Sequence, residues 1–145
     1  MARLRLEDQL CFALYAAAQA VAKAYDPRLR ALGISYREYL ALMVMWPTGR
    51  ATAQQVADRL FMDPCTVDSM LHELMQGGFL TLQTQTTDPA CLVATLTPVG
   101  IAMEPMASTA RQVVACETFS DPGDYEELRD DLFALVTRIT ASPIG

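Results

Sequence analysis

The tightest constraint on this chain is a series of three helix starts at Ser35, Thr52 and Asp63. Ser35 is followed by Glu38 and Thr52 by Gln55, the S/T-x-x-E/Q spacing. There the hydroxyl caps the amide three residues on while the longer side chain returns to the cap's own amide. Asp63 precedes Pro64, and an aspartate cap before a proline at the first helical position is a strong helix opening. The first of these helices runs through Tyr39, Leu42 and Met45 and stops at Trp46-Pro47. The second covers Ala53 to Phe61, and the third ends at Gly77-Gly78. Two strand-like runs follow, Phe79 to Thr86 and Cys91 to Thr97. They are separated by Thr87-Asp88-Pro89-Ala90, whose composition makes a turn.

On the amino-terminal side the apolar positions from Leu6 to Tyr25 fit a long helix that Asp26-Pro27 interrupts, with a short helical turn ending at Gly33. On the other side Thr97-Pro98 opens a helix carrying Met103, Met106, Val113 and Cys116, broken at Ser120-Asp121-Pro122-Gly123. A last helix runs from about Tyr125 to Ala141, with Asp124 and Glu127 as its capping pair and Leu128, Leu132, Leu135 and Ile139 as its stripe. The expected fold is therefore mainly α with a small β-hairpin wing, a winged helix-turn-helix with N- and C-terminal dimerisation helices. It forms one domain over 1–145, in which 1–34 and 98–145 make a helical dimerisation region and 35–97 the winged helix-turn-helix. The flanking helices are long, apolar on one side and too far apart in sequence to be covered by so small a core, which predicts a homodimer.

No apolar run approaches the eighteen or more residues of a membrane span, because charged or amide residues interrupt each one. The start, MARLRLEDQLCF, has no long apolar run closed by a cleavage signal, so a cytoplasmic protein without a membrane partner is expected. Cys11, Cys65, Cys91 and Cys116 are widely spaced and His72 is the only histidine, so neither a metal site nor a cofactor is expected.

Cys11 sits one helical turn before Tyr15, and Tyr25 lies further along the same stripe. At 1.5 Å per residue Tyr25 is ~21 Å beyond Cys11 along the axis. It cannot touch the sulfur of its own chain, but it could reach that of a second copy if two such helices ran antiparallel across a dimer axis. Two readings stay open: a site of thiol chemistry, or ordinary core residues of an amphipathic helix, free cysteine being among the most buried residue types.

The order of elements, together with LEDQLCFALYAA at 6–17, Ala24-Tyr25, the Pro27 to Gly33 turn and LGISYREYLALMVMW at 32–46, resembles the MarR family of dimeric winged-helix regulators. The amino-terminal part resembles its organic-hydroperoxide-sensing, OhrR-type branch. Weaker similarity continues through VADRLFMDPCTV at 56–67, LHELMQGGFL at 71–80 and VATLTPVG at 93–100. This resemblance implies a redox-sensing transcriptional repressor, not an enzyme, with an organic hydroperoxide as its signal. Cys11 would be the reactive thiol, with Tyr15 and Tyr25 as hydrogen-bond donors contributed by both subunits. Oxidation to a sulfenic acid could be followed by capture by a second thiol, for which Cys116 is suitably placed. Cys116 also reads as a small apolar member of the stripe with Val113. An apolar pocket around Phe12 and Trp46 would suit an organic peroxide. A thiol peroxidase is the weaker alternative, since no C-x-x-C or nearby paired thiol could return Cys11 to its reduced form.

The resemblance also implies a double-stranded DNA operator as partner. The candidate DNA-facing residues are Arg50, Pro64, Cys65, Thr66, Ser69, His72 and, at the wing, Thr87; Thr66, Ser69 and His72 could donate hydrogen bonds. Charge departs from this pattern. The chain carries a net −6, and between Thr48 and Gly100 only Arg50 and Arg59 stand against Asp58, Asp63, Asp68, Glu73 and Asp88. Neither DPCTVDSMLHELM nor QTQTTDPACLV holds a lysine or arginine. Phosphate contacts supply much of the affinity for DNA, so weak operator binding with a shallow salt slope is expected. The alternative is a degenerate MarR-type paralogue that binds DNA weakly or not at all and acts through a protein partner.

Overall fold

The computed structural model describes residues 3–84, 92–118 and 122–141. The expected turn at Thr87 to Ala90, and with it Thr87 and Cys91, lies outside the described residues. The helices are α1 (Leu10–Arg30), α2 (Tyr36–Met45), α3 (Ala53–Leu60), α4 (Pro64–Gln76), α5 (Pro98–Thr118) and α6 (Pro122–Ala141). The strands are β1 (Arg50–Thr52), β2 (Leu80–Thr84) and β3 (Leu92–Leu96). Contacts group the chain into two compact units, 1–111 and 112–145, so that α5 belongs to both.

The first unit holds the winged core. Its caps form as the sequence predicts. The amide of Glu38 donates to the Ser35 hydroxyl at 3.2 Å while the Ser35 amide donates to Glu38 Oε1 at 3.1 Å. Thr52 and Gln55 repeat this exchange at 3.1 and 2.9 Å. With their ends satisfied locally, α2, α3 and α4 turn Leu42, Met45, Val56, Val67, Leu71 and Leu74 inward, all fully buried, and Leu29 of α1 and Leu80 of β2 complete that core.

Three expectations need correction. First, α1 starts at Leu10, behind a separate 3-10 turn over Leu6–Asp8, and then continues through Pro27 to Arg30. Proline removes one intrahelical donor, but its fixed φ is compatible with a helix. The next turn is held by complete burial of Leu29 and by an exposed Asp26–Arg30 ion pair at 2.8 Å. Gly33, at φ +86°, then closes the end, and the Ile34 amide returns to the Leu29 carbonyl at 3.1 Å. Second, the hairpin is part of a three-stranded antiparallel sheet in the order β1-β3-β2, with Ala51 opposite Ala94 and Leu82 also opposite Ala94. A three-residue strand has too little periodicity to be read from sequence; long-range pairing with β3 creates it. Third, α6 begins at Pro122, which puts Asp124 inside its first turn and not at its cap.

Between α3 and α4 the chain turns through Phe61 at φ 56°, the only non-glycine residue with positive φ among the described residues, and its side chain is 67% exposed. A left-handed conformation costs an L-residue about 1–2 kcal/mol, and an exposed ring returns little of that by burial. Phe61→Gly is therefore expected to leave the fold intact and to raise stability by about 1 kcal/mol, measured by urea denaturation. A loss of stability would show that the ring contributes packing.

The start of α5 is fastened to the core. Thr97 donates its amide to the Phe79 carbonyl at 3.0 Å and its hydroxyl to the Gly78 carbonyl at 2.6 Å, while the same hydroxyl accepts from the Gly100 amide at 3.2 Å. Trp46 Nε1 donates to the Gly100 carbonyl at 3.0 Å. In the second unit α6 leaves Leu128, Phe133 and Ile139 exposed.

Candidate functional site

On α4 the buried positions Val67, Met70, Leu71 and Leu74 form one stripe, and Cys65, Asp68, Ser69, His72 and Gln76 form the exposed ridge on the opposite side. This ridge carries no lysine or arginine. Pro64 occupies the first helical position behind the Asp63 cap. The hydroxyl of Thr66 donates to Asp63 Oδ2 at 2.7 Å and its amide to Oδ1 at 3.1 Å. These two bonds hold the Asp63 carboxyl below the usual aspartate range, the hydroxyl having the larger effect. His72 Nδ1 lies 2.8 Å from the backbone carbonyl of Asp68. A carbonyl only accepts, so Nδ1 carries the hydrogen and Nε2 faces outward. The Thr66 hydroxyl hydrogen is thus engaged with Asp63 and the His72 Nδ1 hydrogen with the Asp68 carbonyl, while Ser69 is exposed. Arg50 is exposed on β1 and Arg59 on α3, and Thr87 lies outside the described residues.

Cys11 is the second residue of α1. It is exposed, and Tyr15 one turn later is 62% exposed. The reading of both as core residues does not hold within the protomer. The amino end of α1 has Gln9 at its cap with no side-chain cap bond, leaving the first-turn amides without that local acceptor. Tyr25 sits elsewhere. It stacks on Tyr39, with ring centroids 5.5 Å apart, and tilts against Tyr36 at 5.1 Å, and Tyr39 meets the edge of Trp46 at 6.2 Å. Tyr36 and Tyr39 are therefore neighbours of the candidate site that sequence reasoning missed; the signal was their i, i+3 spacing at the start of α2. Cys116 is exposed on the part of α5 within the second unit.

Trp46 lines a cleft of about 230 Å³ with Tyr39, Met43, Pro47, Glu104, Ser108 and Arg111. Phe12 is not among its walls, and one side of the cleft is charged. Phe12, near the amino end of α1, is 39% exposed. Among the described residues no cluster of His, Cys, Asp and Glu could hold a metal ion, and no helix is long and apolar enough to cross a membrane.

A helix-turn-helix backed by a three-stranded sheet and continued into long flanking helices defines a winged-helix transcriptional regulator. No protein-family model matches the chain. It is 29% identical to the organic hydroperoxide resistance transcriptional regulator of Bacillus subtilis (strain 168), over 92% of this chain and 90% of that protein. Among solved structures it is similar to overoxidized AbfR bound to DNA, with 30% identity, coverage of 90% of this chain and 95% of that one, and a TM-score of 0.71. It is likewise similar to reduced AbfR bound to DNA, with 26% identity, 94% and 95% coverage and a TM-score of 0.79. AbfR has also been solved as the protein of Staphylococcus epidermidis. The chain belongs to the MarR family of DNA-binding transcriptional regulators, and the Bacillus relative supports its OhrR-type branch.

Proposed function

We propose that this protein is a homodimeric, cytoplasmic repressor that holds a double-stranded operator while Cys11 is reduced and releases it when an organic hydroperoxide oxidises Cys11. The observation that carries this reading is the exposed Cys11 beside the exposed Tyr15 at the amino end of α1. The names of the relatives support it: one is a regulator of organic hydroperoxide resistance, and another has been solved on DNA in reduced and overoxidized forms.

The chemistry is a two-electron oxidation of sulfur. The Cys11 thiolate attacks one peroxide oxygen, the S–O bond forms as the O–O bond breaks, and the alkoxide leaves as the alcohol after taking a proton. Tyr15 supplies a phenolic donor one turn from the sulfur, and Tyr25 of a second copy supplies another. Condensation of the resulting sulfenic acid with the Cys116 thiol of a second copy would release water and form a disulfide. Residues 1–34 and 98–145 pair the copies. Leu128, Leu132 and Phe133, which line an open apolar groove on α6, are part of that contact. Arg50, Pro64, Cys65, Thr66, Ser69 and His72 face the duplex, and Thr87, which lies outside the described residues, is the further candidate contact.

A second reading, action through a protein partner, is favoured by one observation, the absence of any lysine or arginine from α4. Fluorescence anisotropy of the reduced protein against duplex from its own upstream region, at two salt concentrations and again after adding an organic hydroperoxide, separates the two. Binding that falls only modestly with salt and is lost on oxidation supports the repressor. No binding in either state supports the partner reading.

A further inference from the structure

The exposed ridge of α4 carries no lysine or arginine, and two of its polar side chains, Asp68 and His72, present acceptors beside the Ser69 hydroxyl, which can donate or accept. Asp68 presents a carboxylate, half exposed at 52%, whose Oδ1 lies 3.6 Å from His72 Nδ1. His72, 48% exposed, has Nδ1 engaged with the Asp68 carbonyl, so its outward nitrogen, Nε2, carries a lone pair in the neutral ring. Thr66, on the adjoining flank, has turned its hydroxyl hydrogen back to Asp63 and shows only lone pairs outward. The backbone bond to His72 fixes which nitrogen faces outward, and in the neutral ring that nitrogen accepts: a ring rotated to put Nε2 inward would lose a 2.8 Å hydrogen bond.

In the major groove only two base-edge groups are hydrogen-bond donors, the exocyclic amines of cytosine and adenine. Guanine and thymine offer acceptors there, together with the thymine methyl. We infer that Asp68 and His72 are specificity-determining residues, and that α4 selects cytosine or adenine at the positions they face by accepting hydrogens from those amines. A guanine at either position would set acceptor against acceptor, and for Asp68 charge against carbonyl as well. Affinity is then a sum of few phosphate contacts and discriminating base contacts, which makes the missing lysines and arginines a property of the recognition mode. The inference rests on the repressor reading above.

The test uses the full-length reduced protein and a pool of duplexes with a randomised core, selected at low salt and sequenced. Cytosine or adenine should be enriched at two positions of each half-site. Replacing those bases by analogues without the exocyclic amine, pyrimidin-2-one for cytosine and purine for adenine, should weaken binding about tenfold each. His72→Lys, which offers only donors, should move the preference at one of these positions to guanine and leave the other unchanged. Asp68→Asn should relax the other. Enrichment of guanine or thymine at both positions, indifference to the amine, or unchanged preferences in both variants would overturn the inference while leaving a DNA-binding repressor in place. A pool from which no duplex is enriched would overturn the repressor reading and the inference with it.

Discussion

Gly100→Ala is expected to destabilise the protein by about 3 kcal/mol, near the upper end of overpacking effects. A Cβ at this position would run into the carbonyl of Phe79 and press on Leu96 Cδ2, 3.2 Å away. The obstacle is backbone, so no change of rotamer relieves it. The Gly100 residue also accepts from Trp46 Nε1 at 3.0 Å and donates to Thr97 at 3.2 Å, so moving it disturbs the junction where α5 leaves β3. Chemical denaturation followed by the fluorescence of Trp46, the single tryptophan, would report both the global loss and any local change at the indole. A cost below about 1 kcal/mol would mean that the first turn of α5 shifts freely, and that the bonds of Thr97 do not hold it.

Cys11→Ser is expected to bind the operator as the reduced wild type does and to lose its response to organic hydroperoxide. In the wild type that response should be a fall in affinity on the order of tenfold or more, within the usual range of coupling between a sensing and a binding site. The substitution removes the nucleophilic sulfur while changing little in volume at an exposed site, so a loss of response without a loss of folding isolates the chemistry. Anisotropy before and after oxidation gives the readout. A Cys11→Ser protein that still released DNA would shift sensing to Cys65, which sits exposed on the ridge of α4 itself. In the same assay Cys116→Ser should abolish any covalent dimer on a non-reducing gel while preserving the first oxidation of Cys11.

The features that were readable from the residues share one physical property, a short reach along the chain. The boxes of Ser35 with Glu38 and Thr52 with Gln55, and the Asp63 cap before Pro64, close within three residues. Spacing alone therefore specifies them, and they locate the helix-turn-helix to within about a residue. The position of Cys11 relative to Tyr15 was equally legible, because one helical turn relates them.

What needed the tertiary structure depends on groups that the chain brings together from afar. The sequence cannot announce β1, a strand of three residues created by pairing of Ala51 with Ala94, nor the passage of α1 through Pro27, which the burial of Leu29 enforces. Tyr25 joins Tyr36 and Tyr39 only because α1 folds back on α2. Exposure settles that Cys11 and Tyr15 are surface groups of the protomer, and the fold engages the Thr66 hydroxyl with Asp63 and His72 Nδ1 with the Asp68 carbonyl. The residue types were written in the chain from the start. Where their hydrogens point was decided by folding, since a polar group takes whichever partner the packed backbone leaves within reach.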